Sequence, residues 1–141
     1  MNENWTPLWS GLVLSSVWRE PDHVRLVWVT MLAMKDWEGV VRCSVGALAD
    51  LARVEVGKVR EALERLKSPD ADSQRKEWDG RRIEELADGG WKVLNHEWYR
   101  DKMAAEKRRA YQAQKKREYR KRVVMLGGTA EERLECEGGV K

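Results

Sequence analysis

The stretch from Ser44 to Ser68, SVGALADLARVEVGKVREALERLKS, decides the fold. Ser44 suits a helix N-cap, because its hydroxyl accepts a hydrogen bond from an orphan amide of the first turn. Leu48, Ala49 and Ala52 then share one face of a short helix. Arg53-Val54-Glu55 interrupts the period, and Val56, Val59, Ala62, Leu63 and Leu66 resume it at three- and four-residue steps. Two short amphipathic helices around a turn that carries an apolar Val54 describe a helix-turn-helix. In such a unit the second helix is the one that enters a major groove. Here it turns Lys58, Arg60, Glu61, Glu64 and Arg65 outward. The competing reading is a helical hairpin in an ordinary core, and the flanking sequence bears on the choice.

Upstream, residues 1–19 carry Trp5, Trp9, Leu12, Val13, Val17 and Trp18, with Leu8, Leu12 and Ser16 at helical spacing. This predicts a short N-terminal helix packed on the core. Trp5 and Trp9 are read as core aromatics, against the alternative of an aromatic surface for bases. Glu20-Pro21-Asp22 opens a second helix, with Pro suited to the first turn. Over Asp22 to Trp37 this segment is apolar on most sides, which predicts a central, buried helix ended by Gly39. His23 falls near its start as a surface or capping residue. Val40 to Cys43 is a short β-type run leading into Ser44.

Downstream, SPDADSQRKEWDGRR is polar and rich in turn signals. Arg82 to Leu86 reads as a strand, Ala87-Asp88-Gly89-Gly90 as a hairpin turn, and Trp91 to Asn95 as the returning strand. Helix, short strand, helix, turn, helix and β-hairpin is the order of a winged helix, with the hairpin tip as the wing. The first strand would pair with the hairpin to make a three-stranded sheet. An unrelated small α+β domain is the alternative. From His96 to about Arg122 there is no Gly or Pro, and strong helix formers dominate. One long helix is expected, its start docked through Trp98 and Tyr99. Past Met103 only Tyr111 and Tyr119 are bulky and uncharged, so it lacks a continuous apolar stripe. Gly127-Gly128 would end it. The fold class expected is therefore α+β, mostly α: a winged helix-turn-helix over residues 1–98, a basic helical extension over 99–126 and a flexible acidic tail over 127–141.

The 141 residues carry a net charge of +3, distributed unevenly. Residues 1–98 hold 14 Lys/Arg and 17 Asp/Glu, a net of −3. Residues 99–122 hold 11 and 3, a net of +8, and residues 123–141 hold 2 and 4. The basic block is the place for a polyanion. A solvated charged helix is the competing reading, but its excess of one sign is far from neutral mixing. Phe is absent and Trp occurs eight times, so indoles must supply the large aromatic packing. Two cysteines, Cys43 and Cys136, predict free thiols in a reducing compartment. With no bilayer-length apolar run and no signal peptide, a cytoplasmic location without a membrane partner is expected, the host cytoplasm if the chain is phage-encoded.

Three stretches, VRLVWVTMLAMKDWEGVVRCSVGALADLARV, EALERLKSPDADSQ and EWDGRRIEELADGGWKVLNHEWYRDK, carry a family resemblance. Over about residues 5–102 the chain resembles the N-terminal winged-helix domain of phage replisome-organiser proteins. It is similar in plan to the N-terminal domain of primosomal helicase-loading proteins. The wording is specific at SPDADS, DGRRIEE and GGWKVLNHEWYR, and generic in the helix-turn-helix. The resemblance implies a winged-helix fold and a role in phage DNA replication or a related DNA transaction. Initiators of this kind usually carry a further domain that engages a helicase or its loader. The sequence after the basic helix does not supply one, so DNA binding or regulation is the expectation.

No enzyme is expected, and no cofactor, metal or small-molecule substrate. The two histidines and two cysteines have no metal-ligand spacing. His96-Glu97 lacks a second histidine one turn later, and no glycine-rich phosphate loop occurs. The acids of DADS and EWDG are read as solvated loop residues, with a divalent-ion site as the alternative. A leucine zipper fails, because only Leu126 and Leu134 follow the basic block, with Gly127-Gly128 between them. Two functions remain. In the first the protein binds double-stranded DNA: Lys58, Arg60 and Arg65 act at the recognition helix, Ser44 at the N-cap of the helix before it, and Arg81, Arg82 and Lys92 on the hairpin. Lys107, Arg108, Arg109, Lys115, Lys116, Arg117, Arg120, Lys121 and Arg122 hold phosphates along the basic helix. In the second the protein is an interaction adaptor, whose acidic domain contacts a replication protein or a second copy in a homodimer.

Overall fold

The structure is a computed structural model and describes residues 6–127. Trp5, Cys136 and the expected acidic tail from Gly128 onward lie outside the described residues. The chain divides into two compact units, Met1–Tyr99 and Arg100–Lys141. The architecture is α+β and mostly helical, with four α-helices and a small antiparallel sheet among the described residues.

The first unit opens with two 3-10 turns, Ser10–Leu14 and Ser16–Arg19, where the sequence predicts one helix. Only Leu12 and Val17 are buried there, and two contacts do not need a continuous helical face. Helix α1 follows at Asp22–Met34. Val24, Val27, Trp28 and Met31 form its buried stripe, at steps of three, one and three residues. It packs against α2 and α3. It is less enclosed than its composition suggests, since Leu26 is 51% exposed.

Helix α1 stops three residues before the expected Trp37. The Asp36 carboxylate accepts the amides of Glu38 and Val40, both at 2.9 Å. These bonds fold residues 36–39 into a turn that competes with the helix. The Val40 amide is the main reason the Asp36 carboxyl titrates below its ordinary range; partial burial opposes it, and the Glu38 amide adds to it. Gly39, at φ 83°, completes this turn and does not cap the helix itself. A Cβ on Gly39 would meet the His96 ring at 2.5 Å, so only glycine fits there.

Strand β1, Val40–Val41, leads into helix α2, Val45–Ala52. The Ser44 hydroxyl accepts the Ala47 amide at 3.1 Å and caps α2. Arg53 ends it in the left-handed region at φ 57°, and the Val54 amide reaches back to the Ala49 carbonyl at 3.1 Å. Val54 packs on the core in the turn. Helix α3, Val56–Lys67, buries Val59, Ala62, Leu63 and Leu66. Val56 differs from expectation: at the first position of α3 it is 42% exposed.

The sheet joins β1 to strands β2, Ile83–Glu85, and β3, Trp91–Val93, in the order β1-β3-β2. Pairing places Val41 opposite Trp91, and Ile83 opposite Val93. Val41, Ile83, Trp91 and Val93 all enter the core, as period-two alternation requires. The Arg82 amide bonds the Leu66 carbonyl at 3.0 Å and fastens the hairpin to the end of α3. Helix α4 runs from His96 to Met125, three residues past the expected end. Leu126 and Gly127, the latter at φ 71°, then turn the chain out of the helix.

Candidate nucleic-acid interface

Every outward position on α3 that the sequence predicts is exposed: Lys58, Arg60, Glu61, Glu64 and Arg65. Their charges divide along the helix. In the C-terminal half, Arg65 pairs with Glu20 and lies 3.9 Å from Glu61. Lys67 pairs with Glu64 at 2.7 Å and with Glu85 of β2 at 3.2 Å. The hydrogen bond to Glu64 raises the Lys67 pKa and keeps the ammonium charged. These cations answer the protein's own acids. Lys58 and Arg60, in the N-terminal half, are exposed and form no ion pair among the described residues. Any base-reading capacity of α3 is concentrated there. Ser44 is exposed, but its hydroxyl oxygen is engaged as the cap of α2.

On the hairpin, Arg42 of the segment after β1 reaches Asp88 at 3.3 Å across the turn. Lys92 sits on the face of β3 opposite Trp91 and Val93, in register with Glu84 on one side and Val40 on the other. Arg81 is half-buried, its Nε donating to the Trp78 carbonyl at 3.2 Å.

Arg82 contradicts the expectation that it holds phosphate. Its side chain is only 11% exposed and pairs with Asp70 at 2.9 Å. It also donates to the Ser16 hydroxyl at 2.6 Å, and Ser16 donates to the same Asp70 oxygen at 2.6 Å. Burial raises the Asp70 pKa, but the bonds from Ser16, Arg82 and the Asp72 amide outweigh it, and the carboxyl titrates below its ordinary range. This cluster joins the N-terminal turns, the loop after α3 and the hairpin. Asp70 and Ser16 had no legible signal: Asp70 reads as an ordinary turn acid, and its hydroxyl partner lies 54 residues away.

The described part of the second unit is the basic helix from Arg100 on. Lys107, Arg108, Arg109, Lys115, Arg117, Arg120, Lys121 and Arg122 are exposed, and Lys116 is half-exposed. At 100° per residue, Arg108, Lys115 and Arg122 fall on one stripe, and Arg109, Lys116 and Arg120 on another. Cations therefore face more than one direction, and a rod-like polyanion meets several whichever way the helix is rolled. Lys115 lies 5.6 Å from the Tyr111 ring centroid, so part of the basic surface is backed by an aromatic face. Gln114 bonds Glu118 at 3.1 Å along the helix. Tyr111 and Tyr119 are both exposed.

Among the described residues no three His, Cys, Asp or Glu side chains gather to hold a metal ion, and no helix is long and apolar enough to cross a membrane. Burial raises the pKa of the Cys43 thiol, which keeps it protonated and weakly nucleophilic. Comparison with family models, curated proteins and solved structures finds no match to this chain.

Proposed function

We propose that the protein binds double-stranded DNA, with sequence selectivity from α3 and the hairpin and most of the affinity from α4. In this reading the first unit is a winged helix: α2 and α3 form the helix-turn-helix, and the β2–β3 hairpin is the wing. The observation that carries the reading is the net +8 over residues 99–122, displayed on a helix that has no apolar stripe and whose cations are exposed except Lys102 and Lys116, which are half-exposed. Such a helix has no core to enter, and its chemistry suits phosphates. A role in replication initiation or its regulation rests on the family resemblance alone.

The test is the salt dependence of duplex binding. Each neutralised phosphate contributes about −0.9 to the slope of log affinity against log salt. With about five contacts from α4, deleting residues 103–141 flattens that slope by roughly four to five units. The first unit, at net −3 over residues 1–98, keeps Trp98 and Tyr99 and retains a base preference at low salt. A truncated protein with undiminished affinity and an equally steep slope would remove α4 from the DNA. Independently, Lys58→Glu with Arg60→Glu abolishes selectivity for the cognate duplex in an electrophoretic mobility assay.

A second reading is favoured by the ion pairs of the first unit. Glu20 neutralises Arg65, Glu64 and Glu85 neutralise Lys67, and Asp70 neutralises Arg82, which leaves α3 and the start of the hairpin less cationic than their sequence suggests. An adaptor that contacts another protein through this unit, with nucleic acid on α4 only, would retain duplex selectivity in the double mutant.

A further inference from the structure

Between Arg108 and Arg122 helix α4 reads RRAYQAQKKREYRKR, with Glu118 as its one acid. Five of these residues follow one another at steps of three, four, four and three: Arg108, Tyr111, Lys115, Tyr119 and Arg122. At 100° per residue they fall within an arc of about 80° and extend about 21 Å along the helix axis. Cation and ring therefore alternate down a single face. Residues three or four apart are neighbours on a helix surface, so each ring has a cation on either side of it.

All five side chains are exposed, Tyr111 at 61% and Tyr119 at 53%. The Lys115 ammonium stands 5.6 Å from the Tyr111 ring centroid. That is close to the outer limit of a cation–π contact, about 6 Å, and most of the tyrosine stays open to solvent. Among the described residues none of the three cations pairs with a carboxylate. Glu118 borders the stripe, and there the Gln114 amide donates to it at 3.1 Å.

We propose that this stripe binds an unpaired DNA strand, its phosphates on Arg108, Lys115 and Arg122 and two of its bases stacked on Tyr111 and Tyr119. The proposal rests on the reading of α4 as a nucleic-acid element and adds the form of DNA that it takes. Charge complementarity names a polyanion, and the rings narrow the class. Proteins that grip single strands combine a cationic track for the backbone with aromatic side chains on which successive bases stack. A duplex keeps its base faces inside the stack, so it would use the cations and leave both rings idle. A second copy of α4 would set cations against cations. A membrane surface takes a helix with a continuous apolar face, which α4 lacks. The first unit is read as binding DNA, so the strand assigned is DNA and not RNA.

The experiment uses the full chain. Fluorescence anisotropy measures affinity for a mixed-sequence DNA strand, for the blunt duplex of that sequence and for the corresponding RNA strand. Wild type is compared with Tyr111→Ala/Tyr119→Ala and with Tyr111→Phe/Tyr119→Phe. Both positions are exposed, and alanine is the strongest helix former, so α4 persists, which circular dichroism checks. Aromatic–base stacking predicts a loss of at least about fivefold for each ring, hence about 25-fold or more for the DNA strand in the alanine variant. The phenylalanine variant keeps both rings and binds the strand as wild type does. Duplex affinity is the same in all three proteins. Strand affinity that survives in the alanine variant, or a loss shared equally by the duplex, overturns the stacking stripe. Tighter binding of RNA than of DNA overturns the assignment to DNA. Phosphatidylserine vesicles do not bind; vesicle binding that the alanine variant loses overturns the strand in favour of a membrane. If deleting residues 103–141 weakens duplex binding while both tyrosines prove dispensable for the strand, the reading of α4 stands and the stripe falls. If the full chain binds neither strand nor duplex, the reading of α4 falls and the stripe with it.

Discussion

The Arg82–Asp70–Ser16 cluster gathers a cation, a carboxylate and a hydroxyl within 3 Å of one another, mostly out of solvent. Removing the guanidinium leaves the Asp70 carboxylate partly buried without its counter-charge. Arg82→Ala is expected to destabilise the fold by roughly 3–5 kcal/mol, measured by urea denaturation. Acid should have a related effect. The folded Asp70 carboxyl titrates below the ordinary aspartate value of about 3.9. Its contribution to stability is therefore complete above that value and is lost as pH falls through the lower folded value. Wild type loses this contribution below about pH 4, and Arg82→Ala, which has already lost the pairing, shows a shallower acid dependence. Nothing in the dipeptide Arg81-Arg82 distinguishes a surface cation from a buried one. Alternation does not help: Arg82 is adjacent to Ile83 and would face the other way in a regular strand, yet both are buried, Ile83 in the core and Arg82 in an ion pair just before β2. The Ser16 hydroxyl lies 66 residues from Arg82, and no local pattern reports a distance of that kind.

Among the elements, the β2–β3 hairpin makes the sharpest claim on backbone geometry. Gly89 and Gly90 have φ 97° and 85°. A Cβ on Gly89 meets nothing within 4 Å, whereas one on Gly90 would lie 2.4 Å from the Val41 carbonyl oxygen. Gly89→Ala should cost about 1–2 kcal/mol, the penalty of a left-handed side chain. Gly90→Ala should cost at least that and also push β1 away from β3, which thermal melts and amide exchange at Val41 and Trp91 would separate. The elements with a strong period were legible to within a few residues: α2, α3, the hairpin and the long α4. The N-terminal turns were not, because apolar residues spaced for a helix serve equally well in two short 3-10 turns that bury Leu12 and Val17. The end of α1 was missed for a different reason. The apolar run ends at Met34, but Lys35-Asp36-Trp37 holds no Gly or Pro to mark a stop, and the stop is made by one carboxylate, Asp36, accepting two amides ahead of it.

At the scale of the whole molecule, one core serves every element of the first unit. Trp28 is 3% exposed and Leu63 4%, both within the cluster that joins α1, α2, α3 and the sheet. Trp28→Ala is expected to cost on the order of 3–5 kcal/mol, read as a lowered urea midpoint with little change in slope. The core and the charge division were readable in the chain, since both follow from composition and period. The candidate interface was readable only in part: the exposed cations of α4 follow from sequence, but the pairing of Arg65, Lys67 and Arg82 depends on which acids the fold brings near. Helix α4 has a consequence beyond its charge. Its first residue, His96, is 6% exposed, and its Nε2 donates to the Trp37 carbonyl at 2.8 Å. A free helix must first order a turn, an improbable event with a nucleation parameter on the order of 10⁻³. Here the folded unit supplies that nucleus, and the helix grows from a fixed origin. Fraying should start at Met125 and advance toward Arg100, so amide exchange is fastest at Met125 and slows toward Arg100. A polyanion that holds the far turns would then suppress the fraying and, by mass action, raise the melting temperature of the unit that nucleates the helix.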